Sequence, residues 1–287
     1  MGTAEARCYF SENKPIMRKI VAPVSFAANA VNAARYAADL AAAIDAELHL
    51  VYVLPQPNPL TRRPMPDFVY QDMRDSGYIM LNDLCMELMK RIGKKVPIST
   101  HLETGDVPGR LQEFCRRIKP FLVVMGAGES LMEEPDNSNT LRAMQRLPYP
   151  LLIIPADAGF HGIHQVAIAC EQEDVFSGVS TALPFLKELH TLLGAKFDMV
   201  HVVVSGQSIE RTLQEYDSLK ATLEGFGREL HIIRQDAVEE GVQYYLSRHP
   251  VDLLLVLPKK HALIEFHRSR AKEIAVNCPV PVMSLHE

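Results

Sequence analysis

Residues 17–54 read MRKIVAPVSFAANAVNAARYAADLAAAIDAELHLVYVL, and this stretch decides the fold. The run Lys19–Val24 (KIVAPV) is short, apolar and closed by a proline, as a strand buried on both faces should be. An alanine-rich segment, Asn29–Ala46, follows with apolar residues at helical spacing. Glu47–Leu54 (ELHLVYVL) is a second strand. A strand, a helix-length crossover and another buried strand make a right-handed β–α–β unit with parallel strands.

Downstream, prolines at 55, 57, 59, 64 and 66 force an irregular loop. The pattern then predicts a helix over Tyr70–Lys94, a strand over Ile98–Glu103 and a helix over Val107–Ile118. Phe121–Met125 (FLVVM) is a buried strand that runs into Gly126-Ala127-Gly128. A polar loop leads to a helix over Asn139–Arg146, and Leu151–Ile154, after Pro150, is the last strand. The same order recurs: strand Val166–Cys170, helix Ser177–Leu193, strand Phe197–Val204, helix Ile209–Glu224, strand Glu229–Arg234, helix Val238–His249, strand Asp252–Leu257, helix Leu263–Asn277, strand Val282–Leu285. Spacings match across the copies. Ser138 precedes Pro150, and Ser269 precedes Pro281, by the same interval.

A duplication explains this economically. The expected fold class is therefore α/β: two tandem, doubly wound, five-stranded parallel-sheet domains of Rossmann-like type. The expected division is a flexible tail over 1–16, or upstream sequence before a start at Met17, then a first domain over 17–156, a linker over 157–163 and a second domain over 164–287. The terminal strands Leu151–Ile154 and Val282–Leu285 are apolar, with edges that must be covered. The two sheets are expected to pair through them as a pseudo-dimer.

Composition narrows the function classes. Hydrophobic residues make up 47% and charged residues 23%, an ordinary globular balance, and the net charge of −5 gives no general pull toward nucleic acid or anionic lipid. No apolar run approaches a membrane span, and residues 1–16 lack the apolar core of a signal peptide. The five cysteines (8, 85, 115, 170, 278) form no C-x-x-C pair and read as reduced core fillers of a cytoplasmic protein.

The stretch from Met17, the ending VVMGAG…NSNT…YPLLIIP and the close FHRSRAKEIAVNCPVPVMSLHE together resemble a tandem universal stress protein. The resemblance implies a nucleotide site at the carboxyl edge of the first sheet. The family's motif there is G-x-x-G-x9-G-[ST]. Gly126 matches its first glycine, Glu129 stands at the second with Gly128 adjacent, Asn137 replaces the third, and Ser138 is retained. Ser25 stands at the position of an aspartate that helps hold adenosine. Glu129, Glu133, Glu134 and Asp136 would repel phosphates.

The candidate pocket is thus Pro23, Val24, Ser25, Val53, Met125, Gly126, Gly128, Asn137, Ser138 and Asn139, with ATP or another adenine nucleotide as the implied ligand. Read without a ligand, the glycines are turn residues and Ser138 is a helix cap. In the second copy Pro258 removes a backbone donor where the glycine loop begins, so no ATP is expected there. Lys259, Lys260, Arg268, Ser269 and Arg270 form either a weak anion site or a solvated loop.

No metal site is expected, since the histidine pairs lack a third ligand; His49, His201 and His231 read as packed or edge residues. No nucleophile elbow or complete P-loop is present. The expectation is a non-catalytic cytoplasmic stress-response protein with a degenerate nucleotide pocket. An adenine-nucleotide regulator or weak ATPase, a purely structural pairing module and further homo-oligomerisation stay open.

Overall fold

The computed structural model describes residues 17–56, 66–93, 96–127, 140, 142–143, 147–170, 175–204, 209–210, 213–214, 216–217, 224–225, 227–256 and 278–285. The first half holds β1 (Lys19–Pro23), α1 (Ala28–Ile44), β2 (Glu47–Leu54), α2 (Asp67–Arg91), β3 (Ile98–Thr104), α3 (Val107–Ile118), β4 (Leu122–Gly126) and β5 (Leu151–Ile154). The second holds β6 (Gln165–Cys170), α4 (Val175–Leu193), β7 (Lys196–Val203), β8 (Gly227–Arg234), α5 (Val238–Leu246), β9 (Leu253–Val256) and β10 (Val282–Ser284).

All ten strands form one sheet in the order β3-β2-β1-β4-β5-β10-β9-β6-β7-β8. Each half has the same internal order, and strands within each half are parallel. The halves join where β5 and β10 run antiparallel, with Val282 opposite Ile153, Met283 opposite Leu152 and Ser284 opposite Leu151. The tandem doubly wound architecture and the pairing through the last strands are as the duplication predicts.

Local signals set the helix ends. Asp106 caps α3 by accepting from the Gly109 N–H at 3.1 Å, and Pro108 sits in the first turn, where no donor is missed. The sequence pattern places the second helix at 70–94, whereas α2 spans Asp67–Arg91. Pro66 fits just outside the helix start, Asp67 favours the positive end of the dipole, and Gly93 (φ +65°) turns the chain into the left-handed region.

The alanine-rich α1 buries Ala30, Ala33, Ala34, Ala37, Ala38 and Ala41 against the sheet, and such small side chains bring helix and strand backbones close. On this face one apolar core runs without a break from Ile20 and Leu48 through Leu152 and Met283 to Leu253 and Leu186. The opposite face has two separate cores, one under α3 and one under α5. Cross-half contacts reinforce the continuous face. Arg18 Nε donates to Glu188 Oε1 at 2.6 Å, and Phe121 stacks on Phe185 with centroids 5.2 Å apart. Within the first half, Asn32 Nδ2 ties α1 to the segment after β5 through the carbonyls of Pro155 and Ala158.

Leu152 and Met283 are directly opposed across the junction, and both are 0% exposed. Truncating either to alanine is expected to cost about 2–5 kcal/mol. In a double-mutant cycle the two should couple by at least about 0.5 kcal/mol. Urea unfolding of the four variants measures this, and strict additivity would mean that the two strands do not meet in solution.

Candidate functional site

The strand order of the first half reverses between β1 and β4, which pair side by side. A crevice forms at such a reversal, outside the carboxyl ends of the strands. Pro23 ends β1, Gly126 ends β4, and Val53 lies near the end of β2. Val24 continues beyond β1 and donates its N–H to the Val51 carbonyl at 2.9 Å. Val24, Val53 and Met125 are only 4%, 5% and 7% exposed; Val24 packs into the core on the α1 side of the sheet, and Val53 and Met125 into the core under α3, so they back the carboxyl edge from its two sides. Ser25 is exposed at that edge. Phe26 turns the chain into α1 at φ 64°, a conformation unusual for an aromatic residue, with its ring edge-on to Tyr52 at 4.9 Å.

Gly126 has a close neighbour. A Cβ at this position would lie 2.5 Å from the Asn29 carbonyl oxygen and 3.2 Å from the Ala30 nitrogen, so the first turn of α1 lies on the end of β4. Asn29 then fastens the two. Its Nδ2 donates to the Ala127 carbonyl at 2.7 Å, and its Oδ1 accepts from the Ala30 N–H at 2.8 Å. The Thr140 hydroxyl donates to the Gly126 carbonyl at 3.1 Å, and the Ala127 N–H donates to the Ile154 carbonyl at 2.8 Å. The start of α1 has no side-chain cap, because Ala27 occupies the cap position.

Of the sequence-predicted residues, Pro23, Val24, Ser25, Val53, Met125 and Gly126 lie around this crevice. Gly128, Asn137, Ser138 and Asn139 lie outside the described residues, as do Lys259, Lys260, Arg268, Ser269 and Arg270. Phe26, Asn29 and Thr140 were not among the predicted residues. A polar side chain in the opening turn of an otherwise alanine-rich helix is the one signal that could have raised Asn29.

Thiol chemistry has little to offer here. Burial pushes the Cys115 thiol up to about 12 and that of Cys278 up to about 11, so both stay protonated at neutral pH. Among the described residues no group of three or more His, Cys, Asp or Glu side chains could hold a metal ion, and no helix is long and apolar enough to cross a membrane.

Gly126→Ala should destabilise the protein by about 1–3 kcal/mol, because the added methyl meets helix backbone that cannot swing aside. Thermal unfolding measures the loss. An unchanged midpoint would mean that α1 does not lie this close to β4.

Comparison with known proteins fits this geometry. The universal stress protein family model matches residues 17–155. A universal stress protein from Archaeoglobus fulgidus DSM 4304 superposes with a TM-score of 0.72 at 14% identity, over 93% of this chain and 98% of that one. A functionally unknown protein from Pseudomonas aeruginosa PAO1 superposes with a TM-score of 0.61 at 13% identity, over 94% of this chain and 93% of that one. At these identities the likeness speaks for the fold across both halves. No curated protein matches the sequence. Residues 17–155 belong to the universal stress protein family, and the fold they adopt occurs a second time in the rest of the chain.

Proposed function

We propose that this chain is a non-catalytic, cytoplasmic stress-response protein whose first half binds an adenine nucleotide weakly in the crevice between β1 and β4. The observation that carries the reading is the carboxyl edge where the strand order reverses between β1 and β4, with buried Val24, Val53 and Met125 behind it and the start of α1, which lacks a side-chain cap, beside it. An adenine ring would lie at this apolar edge, and the positive end of the α1 dipole would favour the ligand's negative charge. Weakness follows from two substitutions of chemistry. Ser25 offers a neutral hydroxyl where the family resemblance implies a carboxylate, and the Asn29 amide and Thr140 hydroxyl donors are already spent on the carbonyls of Ala127 and Gly126. In the same reading residues 17–156 and 164–287 are the two units, joined by 157–163, and the ligand belongs to the first.

A second reading, that the protein is a paired scaffold with no small ligand, draws support from the same hydrogen bonds. With Asn29 and Thr140 engaged by the protein, the crevice has fewer polar groups to offer.

Calorimetry with ATP, ADP, AMP and adenosine separates the two. Wild type should bind at least one of them, and Ser25→Asp, at an exposed position, should raise affinity for the adenosine portion about tenfold, the equivalent of ~1.4 kcal/mol. Native mass spectrometry of gently purified protein supplies the independent check of a carried nucleotide. If no ligand binds wild type or Ser25→Asp at millimolar concentration, the scaffold reading stands and the nucleotide reading falls.

A further inference from the structure

A second polar cluster lies under α3. His49 on β2 and His101 on edge strand β3 face each other with Nδ1 and Nε2 3.0 Å apart, and their rings stack with centroids 5.2 Å apart. Phe114 of α3 packs on both, 4.8 Å from the His101 ring and 6.2 Å from that of His49. The charged groups around the pair are Lys19 on β1, Glu47 on β2, Glu103 on β3 and Arg117 on α3. Arg117 lies over Phe114 at 5.0 Å and donates to Glu103 at 2.7 Å. Ser99 Oγ donates to Glu47 Oε1 at 3.3 Å.

The protons can be placed. His49 Nε2 is buried and faces Glu47 Oε1 at 3.4 Å. That carboxylate favours a proton on Nε2, which leaves Nδ1 of the neutral ring bare. His49 Nδ1 therefore accepts from the His101 Nε2–H. One further proton can enter only at His101 Nδ1, where it sets a cation beside Arg117. A proton added at His49 Nδ1 would put N–H against N–H and break the contact. The equivalent places of the second half hold a different set, in which the His231 ring meets that of His249 with centroids 4.9 Å apart. His231 sits opposite Val200 as His101 sits opposite Val51, but Asp198 holds the place of His49 and accepts from the Tyr245 hydroxyl at 3.1 Å.

We propose that the His49–His101 pair is an acid-operated latch that holds β3 and α3 on the first half at neutral pH and releases them on acidification. Burial, the largest cause, holds both imidazoles below their ordinary value, and for His101 the neighbouring His49 and Arg117 add to it. The opened segment therefore takes up protons before the closed one. Closure is complete above the ordinary imidazole value of about 6.5 and weakens as pH falls below it toward the lower values of the closed pair. The latch shares a core with Val53 and Met125 through α3, but its test reads exchange in residues 98–118 and needs no nucleotide, so the two readings fail separately.

Hydrogen–deuterium exchange on the full chain reads the latch directly. It is run at about pH 7.5 and about pH 5.5, on either side of the imidazole value, with the intrinsic pH dependence of exchange removed. Peptides within residues 98–118 should lose protection on acidification, by about tenfold per pH unit for each proton taken up on opening. Peptides from the central strands, residues 165–170 and 253–256, should change little. The double variant His49→Gln, His101→Gln keeps a donor and an acceptor in the gap without a titratable ring, and should hold its protection at both pH values. Equal protection of wild-type 98–118 at the two pH values overturns the proposal, as does an undiminished acid response in the double variant. Should that variant not fold, the ring-proton NMR signals of His49 and His101 in wild type decide. They should titrate over the pH range in which protection is lost, and titration outside that range overturns the latch.

Discussion

The antiparallel pairing of β5 with β10 is the contact on which the rest of the molecule depends. Both strands are short and wholly buried, LLII on one side and VMS on the other. Each is the last strand of a parallel five-stranded unit, so each would otherwise present unpaired N–H and carbonyl groups along an apolar edge. Pairing them satisfies both edges at once. An antiparallel contact between like strands also relates the halves by an approximate two-fold, which makes ten strands one sheet.

That two-fold explains the unequal cores. It brings α1 and α4 into contact on one face, where the apolar interior is continuous from half to half. On the other face α3 and α5 each cover a separate core. The residues that fill equivalent places are not equivalent in chemistry. Tyr36 and Phe185 stand equally far from the C-terminal ends of α1 and α4. Phe185 stacks on Phe121, whereas Tyr36 meets Phe160 edge-on, and burial together with Asp252 raises its phenol well above the ordinary value. Phe160, beyond β5, thus completes on one side what Phe121 completes on the other, and Asn32 holds the segment after β5 through the carbonyls of Pro155 and Ala158.

The crevice of the first half shows how a glycine can have two readings. A glycine at the end of β4 suits close approach of a ligand to the backbone. Here the described atoms nearest the space of its missing Cβ belong to Asn29 and Ala30. Packing of α1 is therefore sufficient reason for Gly126, and the nucleotide reading draws instead on the apolar carboxyl edge and the helix start. The His49–His101 pair shows the complementary case, in which two residues far apart in sequence acquire a shared proton chemistry only because β2 and β3 are neighbours.

Periodicity and turn residues alone were enough to specify β2 as Glu47–Leu54, α3 as Val107–Ile118 and β5 as Leu151–Ile154, because each is bounded by a proline, a cap or a sharp change of polarity. The duplication, and from it the paired halves, was legible for the same reason: repeated order in a chain is a one-dimensional property. Helix α2 was offset by a few residues because its ends depend on Pro66 and Gly93, not on its weak apolar pattern. Val24, Val53 and Met125 could be placed near one another because parallel strands with helical crossovers must share a carboxyl edge. Asn29 against Ala127, Thr140 against Gly126, and His49 against His101 could not, since each joins segments whose distance apart is fixed only by how closely α1 packs and which strands pair. Sequence determined the elements and their order, and the tertiary structure decided which polar atoms meet, because hydrogen bonds depend on separations of a few ångströms that no one-dimensional pattern records.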